Sequence, residues 1–580
     1  MNTTNALADA ETLIVHGRRI ARLREQAVDM PSIPLDERAL RDLELLLNRG
    51  YYPLCGYAGR EEYESVLDTM RLPGGTLWPT PVTLAAPAEI ARRLPPGGMA
   101  ALRDREGFML AVVRVSETFV PDLRREALAL FGTDDPARHP GVARLFSRQG
   151  MHYVAGGVEG LSLPQRYDFT HLRRTPAKTH RLFAERGWKR IIAYQDTAPL
   201  HRMHRDMLLA LAAEQGARLF ISPIITPSPF TEVGYFSTVR CYEHFLRRLP
   251  PEAALLGLTP LYTLGAGPRG AMLHAIVSRN HGCTHMFFNE RHDDPFPDGD
   301  PFYPAWAAYE AVSAASEDLE IVPVQARPRR YIPEFSLFMD PAEIKPGIAS
   351  LAAGHAALED RLARGEPAPD WLSFPEVLRE LSRLRPPASR LGFTLFLTGL
   401  SGAGKSTLAK VLYVKLMECQ DRPVSLLDGD IVRRHLSSEL SFSKEHRNLN
   451  VQRIGFVAGE ITKNRGIALC APIAPYPESR RQVREMVSPW GAFIEIHMST
   501  PLAVCEQRDR KGLYARARAG VIHGVTGVDD PYLPPENPEL RIDTTLCSPL
   551  EAAEIVLDYL KSRQLIGCGG ETPPGEPPGE

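Results

Sequence analysis

The sequence predicts an α/β chain of several domains, and three observations lead to that fold class. From about residue 169 onward, apolar runs short enough to be strands alternate with longer helical stretches, the pattern of a parallel sheet covered by helices. Before that point, short apolar runs such as Phe108–Val115 are separated by the turn clusters Leu72-Pro73-Gly74-Gly75 and Pro95-Pro96-Gly97-Gly98, which reads as a mixed, β-rich domain. Near residue 400, a glycine-rich stretch lies between a buried-strand pattern and a helical one.

The elements follow in chain order. Residues 1–168 form the β-rich domain. In 169–388, Arg190–Tyr194, Arg218–Ile221 and Met286–Phe288 are strand runs, and a helical segment over about 350–384 ends at Arg385-Pro386-Pro387, taken as a linker. In 389–566, Phe393–Thr398 is a strand, Lys405–Cys419 a helix and Val424–Leu427 a second strand, with Gly466–Cys470 and Ala492–Met498 as further strands. The tail, 567–580, is rich in Gly, Pro and Glu and reads as disordered.

Bulk composition sets limits. A length of 580 residues corresponds to about three or four domains. With 44% hydrophobic and 24% charged residues the chain has ample core. A net charge of -2 provides no general attraction to nucleic acid or an acidic membrane, so any anion site must be built locally. The 8 cysteines include no C-x-x-C pair, which argues against metal knuckles and a disulfide framework and fits a reducing cytoplasm. No basic-then-apolar leader opens the chain and no run of about 18 apolar residues occurs, so a cytoplasmic location without membrane contact is expected.

The stretch Gly399-Leu-Ser-Gly-Ala-Gly-Lys405-Ser406 matches G-x-x-x-x-G-K-[ST] between a strand and a helix. Gly399, Ser401, Gly402, Ala403, Gly404 and Thr407 supply backbone that wraps phosphate oxygens at a helix N-terminus. Lys405 is placed to reach the β- and γ-phosphates of ATP, and Ser406 to hold Mg²⁺. Asp428 and Asp430 end the next strand at the carboxyl edge of the sheet, where α/β ligands sit. Paired carboxylates there can hold a magnesium shell or take a hydroxyl proton.

Around these residues the block resembles adenylylsulfate kinase. The resemblance rests on L-T-G-L-S-G-A-G-K-S-T at 397–407, L-D-G-D at 427–430, Phe442-Ser443, Arg447, Asn450, C-E-Q-R-D at 505–509, K-G-L-Y at 511–514, A-R-A-G at 517–520 and P-E-N-P-E-L at 535–540. It implies that Asp430 orients or deprotonates the ribose 3′-OH of adenosine 5′-phosphosulfate, supported by Asp428. It also implies that Arg433, Arg447, Asn450, Ile473 and Lys511 line the acceptor site and that Phe442 stacks on its adenine. An arginine fork suits sulfate or phosphate because it donates two parallel hydrogen bonds. The basic stretch Arg508, Arg510, Lys511, Arg516 and Arg518 reads as a lid over the ATP phosphates, with Arg508 on the ATP side. The family's I-S-P-Y segment here has Ala474 for serine, and its lid lysine and phenylalanine are here His523 and Val525. Losing that aromatic weakens stacking on the acceptor adenine by ~1 kcal/mol.

Residues 1 to about 385 resemble ATP sulfurylase, through L-L-N-R-G-Y-Y-P-L at 46–54, W-P-T-P-V-T-L at 78–84, R-G-W-K-R at 186–190, V-R-C-Y at 239–242, A-G-P-R at 266–269 and W-L-S-F-P-E-V at 371–377. That resemblance implies a PUA-like N-terminal domain and a Rossmann-like nucleotidyltransferase domain. The family's Q-x-R-N-P then H-x-x-H reads Gln195-Asp196-Thr197-Ala198-Pro199 then His201-Arg202-Met203-His204. Its G-R-D-H reads Asn289-Glu290-Arg291-His292, and its S-G-T appears as Gly354-His355-Ala356. Threonine cannot clamp sulfate, and Glu290 places negative charge near a polyanion. Losing one transition-state donor alone typically costs about 10²–10³ in rate. The expectation is therefore a working kinase behind a catalytically inactive sulfurylase-like domain that acts as scaffold or nucleotide sensor. Two alternatives stay open. In one, the enzyme is fully bifunctional, with Arg202, Arg205, Arg269 or Arg291 compensating; in the other, the chain is a regulatory nucleotide-binding protein. His201 and His204 as a metal pair lack a further ligand cluster. The expected partners are small nucleotides and further copies of the chain, as dimer or hexamer.

Overall fold

The computed structural model describes residues 12–224, 232–296, 299–325, 329–363, 366–384, 388–441, 443–509 and 511–566. Phe442, Arg510, the 385–387 linker and the 567–580 tail of the sequence reading lie outside them. The chain forms two compact units, Met1–Leu384 and Arg385–Glu580.

The first unit carries two large sheets and a two-stranded antiparallel one, Arg330–Ile332 with Leu337–Met339. One is six-stranded, with Ser32–Pro34, Met99–Arg103, Met109–Phe119, Met151–Gly160 and Gly56–Tyr57 in lateral order and Ala85–Pro87 also paired to Met151–Gly160. The long central pair is antiparallel and shifts register between Val115 and Glu117. Gly156 makes that shift possible. Its φ is +145°, and an added Cβ would lie 2.0 Å from the Arg114 carbonyl oxygen. The β-rich expectation for the front of the chain holds, with the Phe108–Val115 run extended to Met109–Phe119.

The second sheet is five-stranded and parallel, ordered Val322–Gln325, His285–Phe288, Ile191–Tyr194, Arg218–Ile221, Ala254–Leu256. Ile191–Tyr194 is buried at all four positions, as a strand covered on both faces must be. From it the chain moves outward through Arg218–Ile221 and Ala254–Leu256, then returns to its other side as His285–Phe288. The connections therefore diverge beyond the carboxyl ends of Ile191–Tyr194 and His285–Phe288, the switch point at which open α/β sheets bind ligands. Gln195–Pro199 and Asn289–His292 follow directly from those two strand ends. The single helical segment expected over 350–384 is two helices, His355–Ala363 and Pro375–Leu384, separated at the prolines around Pro369.

The second unit has a parallel sheet ordered Val424–Asp428, Ile467–Ala471, Phe393–Thr398, Ala492–Met498, Leu540–Ile542. Phe393–Thr398 is central and buried at every position. The helix Lys405–Cys419 packs Leu408, Ala409, Leu412 and Leu416 into the core against it. Expected and observed elements agree here to within one or two residues. The strand placed at Gly466–Cys470 begins at Ile467 because Gly466 closes the turn after Lys444–Lys463, its N–H bonded to the Ile461 carbonyl.

Candidate active site

The phosphate loop leaves the end of Phe393–Thr398 through three glycines with positive φ, Gly399 (151°), Gly402 (79°) and Gly404 (98°). A Cβ at Gly399 would approach the Met498 carbonyl oxygen to 2.7 Å, and one at Gly402 the Cys505 carbonyl oxygen to 2.9 Å. Side chains are therefore excluded on both conformational and steric grounds. Gly404 caps Lys405–Cys419, so the loop delivers its free amides to the helix N-terminus. Ala403 is buried, while the side chains of Ser406 and Thr407 stand exposed on the first turn. Ser401 holds the loop to the basic stretch, its carbonyl accepting from Tyr514 Oη at 2.9 Å.

Lys405 Nζ donates to the carbonyl oxygens of Gly399 (2.8 Å) and Leu400 (2.7 Å), and so lies across the mouth of the loop. Burial pushes its ammonium down to about 8, with Lys511 adding a like charge nearby and Cys505, Asp428 and Asp430 opposing the drop. Ser406 Oγ donates to Asp428 Oδ2 at 2.6 Å, and Asp428 Oδ1 accepts from the Asp430 amide at 3.0 Å. Asp428 thus caps the helix Gly429–Leu436 and meets the phosphate-loop serine at once. Asp430 stands exposed in the first turn, and its Oδ2 accepts a charged hydrogen bond from Lys511 Nζ. Arg508 Nη1 reaches Thr544 Oγ1 (2.6 Å) and the Gly402 carbonyl (3.4 Å), tying the end of Leu502–Arg508 to the loop. One cluster therefore brings together Lys405, Ser406, Asp428, Asp430, Arg508 and Lys511.

The residues expected on the acceptor side are partly engaged with each other's loops. Arg447 Nη1 donates to Thr526 Oγ1 (2.6 Å) and to Asp530 Oδ2, and Nη2 donates to the Gly524 carbonyl. Arg433 Nη1 donates to the Leu440 (2.9 Å) and Ser441 (3.1 Å) carbonyls and so secures the segment leading to position 442. Asn450 is buried, and its Oδ1 has no partner among the described residues. Ile473 is joined to the phosphate loop through its carbonyl, which accepts from Thr398 Oγ1 at 2.7 Å and the Gly399 amide at 3.3 Å. Tyr514, Thr544 and Asp530 join these contacts without having been singled out from the sequence. Tyr514 lies within K-G-L-Y, but spacing alone does not reveal that its hydroxyl reaches Ser401.

In the first unit, Gln195 is buried, donating Nε2 to Ser278 Oγ at 3.0 Å. Thr197 is exposed, and the Thr197 and Ala198 amides both close on Asp196 Oδ1 (2.7 and 3.2 Å). His201 is buried, its Nδ1 at 2.8 Å from Ser373 Oγ and its Nε2 at 3.2 Å from His355 Nδ1. His204 Nδ1 accepts from the His201 amide at 3.0 Å, so the pair caps the helix Arg202–Glu214. Burial pushes the His204 imidazole down to about 4. His292 Nε2 lies 3.2 Å from His274 Nδ1. Glu290 is exposed on the wall of a cavity of about 500 Å³ that Trp306, Arg329 and Arg330 also line. The four arginines weighed as replacements are committed elsewhere. Arg202 Nε donates to the Ser373 carbonyl (3.0 Å), Arg205 Nε to Asp206 (2.9 Å) and Arg291 Nη1 to the Gly299 carbonyl (2.6 Å), while Arg269 donates to the carbonyls of Val66, Leu67 and Pro79.

Family models agree with this division. A PUA-like domain matches residues 7–163, ATP-sulfurylase 170–384 and adenylylsulphate kinase 391–543. The sulfate adenylyltransferase of Coccidioides immitis (strain RS) is 39% identical over 553 residues, covering 94% of this chain and 96% of that protein. That of Mycosarcoma maydis is 39% identical over 554 residues, with the same coverage. The chain belongs to the ATP-sulfurylase–adenylylsulphate kinase family. Among solved structures, a hexameric APS kinase from Thiobacillus denitrificans superposes with a TM-score of 0.77 at 37% identity, covering 96% of this chain and 98% of that one.

For an adenylylsulphate kinase domain, the donor set at the loop fits magnesium. Ser406 Oγ and Asp428 Oδ2 are two hard oxygens 2.6 Å apart beside the phosphate loop. Among the described residues no group of three or more His, Cys, Asp or Glu could hold a metal. A divalent ion there would draw its other ligands from phosphate and water, which is magnesium's habit. No helix among the described residues is long and apolar enough to cross a membrane.

Proposed function

We propose that the second unit transfers the γ-phosphoryl group of ATP to the 3′-hydroxyl of adenosine 5′-phosphosulfate. The observation that carries this reading is the single cluster in which Lys405, Ser406, Asp428 and Asp430 meet at the carboxyl edge of the sheet. The 3′-oxygen attacks the γ-phosphorus in line and the bond from γ-phosphorus to the β,γ-bridging oxygen breaks. ADP leaves, and the hydroxyl proton passes to Asp430. The loop amides and Lys405 bind and orient the β- and γ-phosphates, so positioning and charge neutralisation supply the catalysis. Magnesium, held through Ser406 and Asp428, would neutralise phosphate charge. Lys511 holds Asp430 until the acceptor arrives and then follows the phosphates as part of the closing basic stretch.

The ATP-sulfurylase domain is proposed to be catalytically silent and to serve as scaffold or nucleotide sensor. The engagement of Arg202, Arg205, Arg269 and Arg291 with other partners supports this, as does Glu290 on the cavity wall. The second reading, a bifunctional enzyme that makes phosphoadenylylsulfate from sulfate and two ATP, is favoured by relatives at 39% identity named sulfate adenylyltransferase. Two assays on one preparation separate them. ADP released from ATP plus adenylylsulfate tests the kinase; no release refutes it. ATP formed from adenylylsulfate plus pyrophosphate would refute the silent domain and establish the bifunctional reading. A cytoplasmic homo-oligomer completes the proposal, and the hexameric relative supports its oligomeric part. Light scattering that gave a monomer would overturn that part.

A further inference from the structure

Asp530 is absent from every residue set assigned above to ATP or to the acceptor, yet it joins three segments on the acceptor side. Its Oδ2 accepts from Arg447 Nη1, on the helix Lys444–Lys463, and lies 3.4 Å from Thr526 Oγ1. Its Oδ1 accepts from Tyr476 Oη at 2.7 Å, at the cap of the helix Pro477–Val487. Its own backbone closes the 524–530 loop, the Gly527 amide donating to its carbonyl at 2.7 Å. Arg447 and Tyr476 are both largely withdrawn from solvent, so neither has a ready substitute in water for the bond to Asp530.

We propose that Asp530 is the positioning residue of the acceptor pocket: it fixes the Arg447 guanidinium against Tyr476 and so sets affinity for the sulfated nucleotide without touching it. The inference rests on the kinase reading. A guanidinium carries five N–H groups. The protein takes both Nη1 protons, through Thr526 and Asp530, and one Nη2 proton, through Gly524. Among the described residues the Nε proton and one Nη2 proton remain for an anion, enough for a fork onto sulfate or phosphate oxygens. With Asp530 removed, Nη1 loses its charged partner and the side chain is held only by the neutral oxygens of Thr526 and Gly524. Arg447 would then meet the acceptor with a looser orientation.

Steady-state kinetics on the full chain test this, with adenylylsulfate and ATP varied separately. Asp530→Ala is expected to raise the KM for adenylylsulfate by about tenfold or more and to leave the KM for ATP within about twofold. Asp530→Asn keeps the shape and loses the charge, and should give a smaller shift in the same direction. In an Arg447→Ala background, Asp530→Ala should add less than about twofold, because the group it positions is gone. Equal effects with and without Arg447 would overturn the proposal, as would an unchanged KM for adenylylsulfate or a parallel rise in both KM values. Should Asp530→Ala fail to fold, the same KM split measured in Asp530→Asn decides. Loss of transfer in the wild-type chain would instead sink the kinase reading itself, so the two failures are distinguishable.

Discussion

Ser406 Oγ lies 2.6 Å from Asp428 Oδ2, so the phosphate-loop hydroxyl and the carboxylate that ends Val424–Asp428 form one oxygen pair. Their adjacency follows from the sheet order. Val424–Asp428 lies two strands from Phe393–Thr398, and both end at the same edge. Removing either partner should act on the metal. Ser406→Ala and Asp428→Asn are each expected to lower kcat about 10²-fold and to raise the magnesium concentration needed for half-maximal rate. Phosphoryl-transfer assays across a magnesium titration check this. An unchanged magnesium requirement in both variants would show that the pair is structural only.

Lys405 gives a second, pH-dependent prediction. Burial lowers its ammonium to about 8, so the free enzyme loses this positive charge as pH rises through that value. ATP binds best to the charged form, and its dissociation constant should rise by up to about tenfold per pH unit above 8. Calorimetric titrations at pH 7, 8 and 9 with ATP and magnesium measure the slope. Lys405→Ala should bind weakly with a flat profile and show no transfer. A profile in the variant as steep as that of the native chain would place the titration elsewhere.

The lid carries a third. Val525 stands where the family has phenylalanine, and its amide is held by Asp529 Oδ1 in a loop whose main chain Asp529 and Asp530 organise. Val525→Phe restores an aromatic face for the acceptor adenine. It should lower the KM for adenylylsulfate about fivefold, the equivalent of ~1 kcal/mol of stacking. Competition kinetics with ATP held saturating would register it. A KM that stays the same or rises means that the adenine is stacked from another side.

Much of this was legible in the residues. The loop at 399–407 could be read because its chemistry is local: glycines, a lysine and a serine act within one turn of chain. The parallel sheets were legible because fully buried strands such as Ile191–Tyr194 and Phe393–Thr398 are continuous apolar runs. What sequence could not supply were contacts between distant segments. Arg447 and Asp530 lie 83 positions apart, and Arg508 and Thr544 lie 36 apart, and neither pairing leaves a periodicity to detect. The same holds for Arg269, whose three carbonyl acceptors lie about 200 residues upstream. A guanidinium's partners are set by folding, so its availability to compensate for Thr197 could not be judged from position alone.

The first unit should lose stability on mild acidification. His274, His281 and His292 are buried, and burial pushes them down to about 4, 4 and 3. An imidazole near 6.5 when unfolded and near 4 when folded contributes fully above pH 6.5, and that contribution is lost as pH falls toward 4. Asp293 works in the opposite direction. Burial raises its carboxyl to about 7 despite backbone hydrogen bonds from the 264–266 segment, so acid relieves a buried charge. Among these four groups three imidazoles outweigh one carboxyl, so through them the unfolded chain binds more protons than the folded one between about pH 6.5 and 4. The apparent melting temperature should therefore fall on the order of 5 °C between pH 7.5 and pH 5. Tryptophan fluorescence reads this unit preferentially, because Trp78, Trp188, Trp306 and Trp371 lie in it and only Trp490 lies in the second. A melting temperature that holds or rises at pH 5 would mean that these imidazoles find protons at little cost in the folded state.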